Sequence, residues 1–116
     1  MTHRDLEVYK NSLEFVVKVY EITKHLPADE KFGLVSQLRR AAVSIPSNIA
    51  EGAARSSTKE FIQFLDIANG SLSELETQLI IIEKLGYTNT KEIIDADVTS
   101  IRKMLYRLKQ ALHKKL

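Results

Sequence analysis

The chain of 116 residues contains no cysteine and no tryptophan, and only two prolines and four glycines. Without cysteine it forms no disulfide, offers no thiolate metal ligand and has no cysteine nucleophile. No stretch approaches the roughly 18–20 uninterrupted apolar residues that a membrane-spanning helix needs. The charged start MTHRDLEVYK lacks the apolar run of a signal peptide. We therefore expect a cytoplasmic protein that makes no use of a membrane.

Residues that would carry catalysis are also missing. The three histidines, His3, His25 and His113, are scattered near predicted helix ends, and no pair has metal-ligand spacing. A di-iron bundle would show two inward-facing Glu-x-x-His motifs, and the chain has none. The glycines are isolated, so there is no phosphate-binding loop, and no histidine lies within helical reach of a serine to activate it. We predict no enzymatic activity, no cofactor, no metal and no small-molecule substrate.

The composition is that of one soluble helical domain spanning residues 1–116. Apolar residues make up 44% of the chain and charged residues 28%, which is typical of globular proteins. Four segments with helical spacing are separated by loops of roughly 3–6 residues, and strand-like alternation is absent from the sequence. Short loops between long helices make neighbours antiparallel. The predicted fold class is therefore all-α, an up-down-up-down four-helix bundle.

The first two segments are bounded by proline and a capping residue. The first is predicted from about Asp5 to His25, because the residue before Pro27 disfavours helix. Asp29 is the predicted N-cap of the second segment. Apolar spacing continues on both sides of Pro46, so we predict a helix kinked there, with a full break as the alternative. The predicted core residues, at three-and-four spacing, are Leu6, Tyr9, Leu13, Val16 and Tyr20, then Leu34, Leu38, Ala41, Ile45 and Ile49.

The third segment has the clearest start and end. Ser57 and Glu60 form an S-x-x-E capping box, and Gly86 supplies the left-handed residue that commonly ends a helix. Asn89 and Glu92 can cap the fourth segment in the same way. The predicted core residues alternate four and three apart: Phe61, Leu65, Ala68, Leu72, Leu75, Leu79 and Ile82, then Ile94, Val98, Ile101, Leu105, Leu108 and Leu112.

Two helices carry more apolar residues than one bundle seam uses, since a seam covers about a third of a helix surface. The third helix also has Gly70 at its middle, which costs about 1 kcal/mol relative to alanine; a close approach of another backbone would explain it. Single exposed isoleucines are ordinary, but a whole apolar strip favours association. We therefore predict a homo-oligomer. The predicted interface residues are Val8, Phe15, Val19 and Ile22, with Ile67, Gly70 and Ile81.

Residues 37–55 combine small side chains with a few polar ones. Ser44, Asn48 and Glu51 are three or four residues apart and so share one helix face. We predict that they form a buried hydrogen-bond network beside Pro46, with Gln37 or Gln78 across the bundle. The alternative is an exposed polar site that contacts a partner.

Two stretches resemble a known family. QLRRAAVSIPSNIAEG at residues 37–52 and EFIQFLDIANGSLSELETQL at residues 60–79 are similar to the four-helix-bundle proteins encoded in 23S rRNA intervening sequences of bacteria. The resemblance runs from DLEVYK to the last helix, and it implies a bundle assembled as a ring-like homopentamer. The family is also similar to accessory proteins of diversity-generating retroelements, pentameric bundles to which nucleic-acid binding is attributed. It implies no catalytic residue.

Charge is distributed unevenly along the chain. Residues 88–116 carry seven Lys or Arg against three Asp or Glu, a net charge of +4, whereas the whole chain has +2. We predict that nucleic acid, RNA before DNA, binds this basic face, although the chain shows no aromatic platform of the kind single-strand binders use. The alternative is a protein-binding or structural scaffold whose basic end is solvated surface. The predicted binding residues are Arg102, Lys103, Arg107, Lys109 and Lys114.

Overall fold

Four long helices form the protein, as a computed structural model of residues 2–116 shows. They are α1 (Glu7–Thr23), α2 (Ser36–Ala53), α3 (Thr58–Lys84) and α4 (Thr99–His113), and no strand occurs in this range. The body is elongated, 46 × 24 × 20 Å, as helices packed side by side require. The predicted all-α four-helix bundle is confirmed.

Short irregular turns lead into the helices. Turns of 3-10 helix span His3–Asp5 and Ala28–Glu30, and π-helical turns span Lys31–Val35 before α2 and Ile93–Val98 before α4. The prediction that Asp29 is the N-cap of the second segment is wrong. The neighbouring carboxylate of Glu30 has that role, accepting a hydrogen bond from the Leu34 N–H at 3.4 Å.

Both ends of α3 lie where the sequence predicts them. The Ser57 hydroxyl oxygen accepts the Glu60 N–H at 3.1 Å, which makes Ser57 the N-cap. The Glu60 carboxylate accepts the Ser57 hydroxyl at 3.1 Å and not the Ser57 N–H, so only half of the predicted capping box forms. At the other end Gly86 has φ of 78°, the left-handed region. The Tyr87 N–H then reaches back to the Ile82 carbonyl at 3.0 Å. The Tyr87 hydroxyl donates to Glu30 at 3.0 Å, and this hydrogen bond raises the pKa of Tyr87.

Side-chain contacts show which helices are adjacent and in which direction each helix runs. Residue numbers rise along one helix of a pair as they fall along the other, which indicates opposite chain directions. The pairs are Gln37 with Gln78, Ser44 with Ser71 and Gly52 with Phe64 between α2 and α3, and Asp66 with Lys109 and Glu76 with Arg102 between α3 and α4. The helix α1 packs against α2 and α4, so it lies diagonally across the bundle from α3.

The buried face of α1 is not the predicted one. Val8, Phe15 and Val19 are buried in the core, whereas Leu13 is exposed and Tyr9 and Tyr20 are only partly buried. Two polar residues complete the buried face, Ser12 and Thr23. Their hydroxyls donate to the Tyr9 and Tyr20 carbonyls at 2.8 Å, so burying them leaves no hydroxyl unpaired. The prediction that Val8, Phe15 and Val19 form an oligomer interface was therefore wrong, because the protein's own core covers them.

The helix α2 continues through Pro46. Residues Ser36–Ala53 form one helix with Pro46 buried inside it, which excludes the full break. The kink stays a prediction.

The helices α2 and α3 approach each other closely at Gly52. A Cβ added to Gly52 would lie 2.7 Å from the Phe64 Cβ and 3.2 Å from the Phe61 carbonyl oxygen. Gly70 is the opposite case, since a Cβ there would meet no atom of residues 2–116 within 4 Å. The close approach predicted at Gly70 therefore does not come from the protein's own helices.

These two glycines form a matched pair for a stability test. Gly52→Ala should lower the free energy of unfolding, because overpacking costs about 1–3 kcal/mol and outweighs the gain in helix propensity. Gly70→Ala should raise it by about 0.5–1 kcal/mol, because alanine is the better helix former and has free space. Urea unfolding followed by circular dichroism measures both. Equal shifts in the same direction would contradict the assigned packing.

Candidate nucleic-acid interface

A row of cations lies along the outward face of α4. Lys103, Arg107 and Lys114 are exposed, and their positions fall within about 40° of one another around the helix. None of the three forms an ion pair with any residue from 2 to 116. From Thr99 to Leu116 the sequence contains no Asp or Glu. We name these three residues the cationic row.

The other two predicted binding residues are differently placed. The Arg102 guanidinium lies 2.7 Å from the Glu76 carboxylate, and Lys109 pairs with Asp66. Both carboxylates are on α3, so these cations join α4 to its neighbour and are partly neutralised. Arg102 and Lys109 are therefore poor candidates for phosphate contacts, whereas the cationic row keeps its full charge.

One aromatic residue beside the cationic row was missed in the sequence. Tyr106 is 63% exposed and precedes Arg107 directly. Its position on α4 lies between the cationic row and the side that pairs with α3. Helical spacing places Tyr106 outside the stripe of Ile101, Leu105 and Leu108, so the sequence alone could have predicted that it is exposed.

Polar side chains between α2 and α3 form a hydrogen-bond network, which includes two of the three predicted residues and is partly buried, not fully buried as predicted. The Asn48 amide donates to the Ser44 carbonyl at 2.8 Å and to the Ser44 hydroxyl at 2.9 Å. The Ser44 hydroxyl lies 2.9 Å from that of Ser71, a partner the sequence did not predict. Glu51 is outside the network: it is exposed and pairs with Arg55 at 3.0 Å.

A polar cleft continues this network towards the α2 N-terminus. Gln37, Arg40 and Glu74 line it, and beneath it the Gln78 amide donates at 3.4 Å to Gln37 and to Glu74. Gln78 is 5% exposed, and its Oε1 has no hydrogen-bond partner among the residues the structure describes. The predicted hydrogen bond from Ser44, Asn48 or Glu51 to Gln37 or Gln78 is therefore not formed, because Gln78 bonds to Gln37 and Glu74 instead.

Two apolar surfaces remain exposed on the bundle. The first, which we name the α3 strip, consists of Ile67, Gly70 and Ile81 on the outer face of α3. The second, the α1–α2 groove, is lined by Tyr9, Leu13, Val16, Val43, Pro46, Ser47 and Ala50. Val17, one turn beyond Leu13, is 61% exposed. Ile22, predicted at an interface, is partly buried and packs against the core.

Clusters of metal-ligating side chains and long apolar helices are not found among residues 2–116. No group of three or more His, Asp or Glu side chains in this range is placed to hold a metal ion. None of the helices there is long and apolar enough to cross a membrane.

Comparison with known proteins identifies the family. The family model for 23S rRNA-intervening sequence proteins matches residues 4–107. The chain belongs to this family. The match confirms the resemblance seen in residues 37–52 and 60–79.

A solved structure supports the same assignment. The crystal structure of a protein of unknown function from the S23 ribosomal protein family of Bacteroides thetaiotaomicron matches with a TM-score of 0.79 and 32% sequence identity. The match covers 88% of this chain and 97% of that chain. No curated protein matches the chain. Neither description names a catalytic activity.

The network between α2 and α3 can be tested by removing one side chain. Asn48→Ala should lower the free energy of unfolding by about 1–2 kcal/mol, because it removes two hydrogen bonds to Ser44. Glu51→Ala is the matched control on the same helix. It removes only an exposed pair with Arg55, worth about 0.3–0.5 kcal/mol. Thermal unfolding measures both, and an unchanged midpoint for Asn48→Ala would favour a partner-binding role for that residue.

Proposed function

We propose that this member of the family is a non-enzymatic, self-associating helical bundle that binds nucleic acid through the cationic row of α4. RNA is the first ligand to test, and a ring of five subunits is the proposed assembly. The observation that carries the proposal is the row itself, Lys103, Arg107 and Lys114, exposed and without a paired carboxylate among residues 2–116. Unpaired cations on one outward face are what phosphate contacts need.

The two apolar surfaces favour self-association in a ring. The α3 strip faces outward on α3, and α1, one wall of the groove, lies diagonally across the bundle from α3, so the two surfaces face in different directions. A head-to-tail contact, in which the strip of one copy enters the groove of the next, covers both surfaces, and it closes into a ring when the rotations between successive copies add up to a full turn. Gly70, one turn after Ile67 in the strip, has free space around it and would let a second helix approach closely. The number five rests on the resemblance to pentameric bundles.

A second candidate is a protein-binding or structural scaffold without a nucleic-acid role. It is favoured by the ion pairs of Arg102 with Glu76 and of Lys109 with Asp66. Because of these pairs, only three of the five predicted binding cations lack a carboxylate partner, so each subunit has only a modest positive surface.

The head-to-tail contact makes a specific prediction about mixed variants. Leu13→Asp should block the groove and Ile67→Asp the strip, because each places a charge inside the contact while the side chain is exposed in the single subunit. Each variant alone should be monomeric. Mixed in equal amounts they should form a one-to-one dimer, since one intact groove then meets one intact strip. Light scattering after size exclusion measures all three samples at micromolar concentration.

The control for this experiment is Leu85→Asp, an exposed apolar residue outside both named surfaces, which should leave the wild-type assembly intact. Circular dichroism checks that each variant stays helical. A monomeric wild type would contradict self-association. Variants that stay monomeric when mixed would contradict the head-to-tail arrangement.

Charge reversal tests the cationic row. Lys103→Glu with Arg107→Glu should abolish most of the affinity for a labelled RNA hairpin, because two attractive phosphate interactions become repulsive. The slope of log affinity against log salt should also fall by about 1 for each phosphate that is no longer neutralised. Fluorescence anisotropy between about 50 and 200 mM salt, where phosphate binding varies steeply, measures both quantities.

A control variant with the same change in net charge separates local contacts from bulk charge. Lys84→Glu with Lys91→Glu reverses two exposed cations at the opposite end of the bundle and should weaken binding only slightly. If the wild type binds neither RNA nor DNA at about 50 mM salt, the scaffold function is the better one.

A further inference from the structure

Tyr106 differs from the other three tyrosines in having no intramolecular role among residues 2–116. The Tyr9 ring packs edge-on against His3, the Arg39 guanidinium lies over the Tyr20 ring, and the Tyr87 hydroxyl binds Glu30. Tyr106 is 63% exposed. Its ring takes part in no aromatic or cation–π contact with the described part of the chain. An aromatic ring held in water without a partner is available to an external one.

The surroundings of Tyr106 determine which external partner fits. Lys103 precedes it by three residues and Arg107 follows it directly, so both cations lie on the same side of the ring around the helix. His113 lies two helical turns further along on the same side, at a rise of about 10 Å. Tyr106 and His113 therefore form a line of planar side chains, rotated by about 90° from the cationic row. Both residues are on one rigid helix.

A single strand of nucleic acid fits this surface. Its phosphates can lie beside the cationic row while its unpaired bases lie beside the planar side chains. Base stacking on an aromatic side chain contributes to single-strand binding and tolerates any sequence. A duplex keeps its bases stacked inside, so it can use the cationic row but not the ring. An acidic peptide would use the cations and leave the ring without a stacking partner.

We infer that Tyr106 stacks on an unpaired base and gives this surface a preference for single-stranded over duplex nucleic acid. The inference rests on the proposed function, since it needs the cationic row to hold the phosphates. It adds a selectivity that charge alone does not provide.

The test compares an unstructured uridine oligonucleotide with an RNA duplex of the same length at matched salt. The wild type should bind the single strand more tightly. Tyr106→Ala should weaken single-strand binding roughly tenfold, as the removal of one stacking interaction predicts, and should leave duplex binding unchanged. Tyr106→Phe should keep the single-strand affinity, because the ring remains. Phe32→Ala removes another highly exposed aromatic residue, at the far end of the bundle, and should change neither affinity.

Tyrosine fluorescence gives a second readout, because the chain has four tyrosines and no tryptophan. Binding of the single strand should quench the wild type, and Tyr106→Phe should lose most of that quenching while it still binds. Equal affinity of Tyr106→Ala and wild type for the single strand would overturn the stacking role while leaving the cationic row in place. A wild type that binds duplex and single strand equally would also overturn it. Absence of all binding would overturn the proposed function together with it.

Discussion

The close approach of α2 to α3 is the constraint on which the other contacts depend. At Gly52 the backbone of α2 meets Phe64 and Phe61 of α3 with no room for a Cβ. Along the same seam Ala41 and Ala68 are buried, and the Ser44 and Ser71 hydroxyls come within 2.9 Å. Small side chains let the helices approach, and the serines then satisfy each other inside the contact. Once this seam is set, the rotation of α3 about its axis is fixed.

The fixed rotation of α3 determines what its other faces do. One face presents Asp66 and Glu76 to α4, where they pair with Lys109 and Arg102. Ion pairs that are partly exposed stabilise a fold by about 0–1 kcal/mol each, so their main effect here is on orientation. They hold the cationic side of α4 in register, and the remaining cations of that helix point away from the bundle. The outer face of α3 is left with Ile67, Gly70 and Ile81.

Local signals were enough to predict most of the fold. The S-x-x-E pattern at Ser57 and the left-handed Gly86 placed both ends of α3, and an uninterrupted apolar stripe placed its core. Apolar spacing did not predict the buried face of α1. Its continuous apolar stripe is half-exposed, and the stripe that is buried contains Ser12 and Thr23. In the candidate site, helical period alone separates the cationic row from the core. The pairing of Arg102 and Lys109 depends on the register between α3 and α4, which no local pattern contains.

Assembly and charge reinforce each other in the proposed function. A subunit with a net charge of +2 and three unpaired cations on one face would hold nucleic acid weakly at physiological salt. A closed ring repeats that face at fixed spacing, so a strand bound at one subunit meets the next at a high effective concentration. The affinity of the whole then exceeds that of one site even though each subunit binds in the same way. The apolar surfaces on α1–α2 and on α3 and the cationic row on α4 are separate, so the bundle can use all of them at once. In the proposed function, self-association would therefore strengthen a basic face that binds weakly in each single subunit.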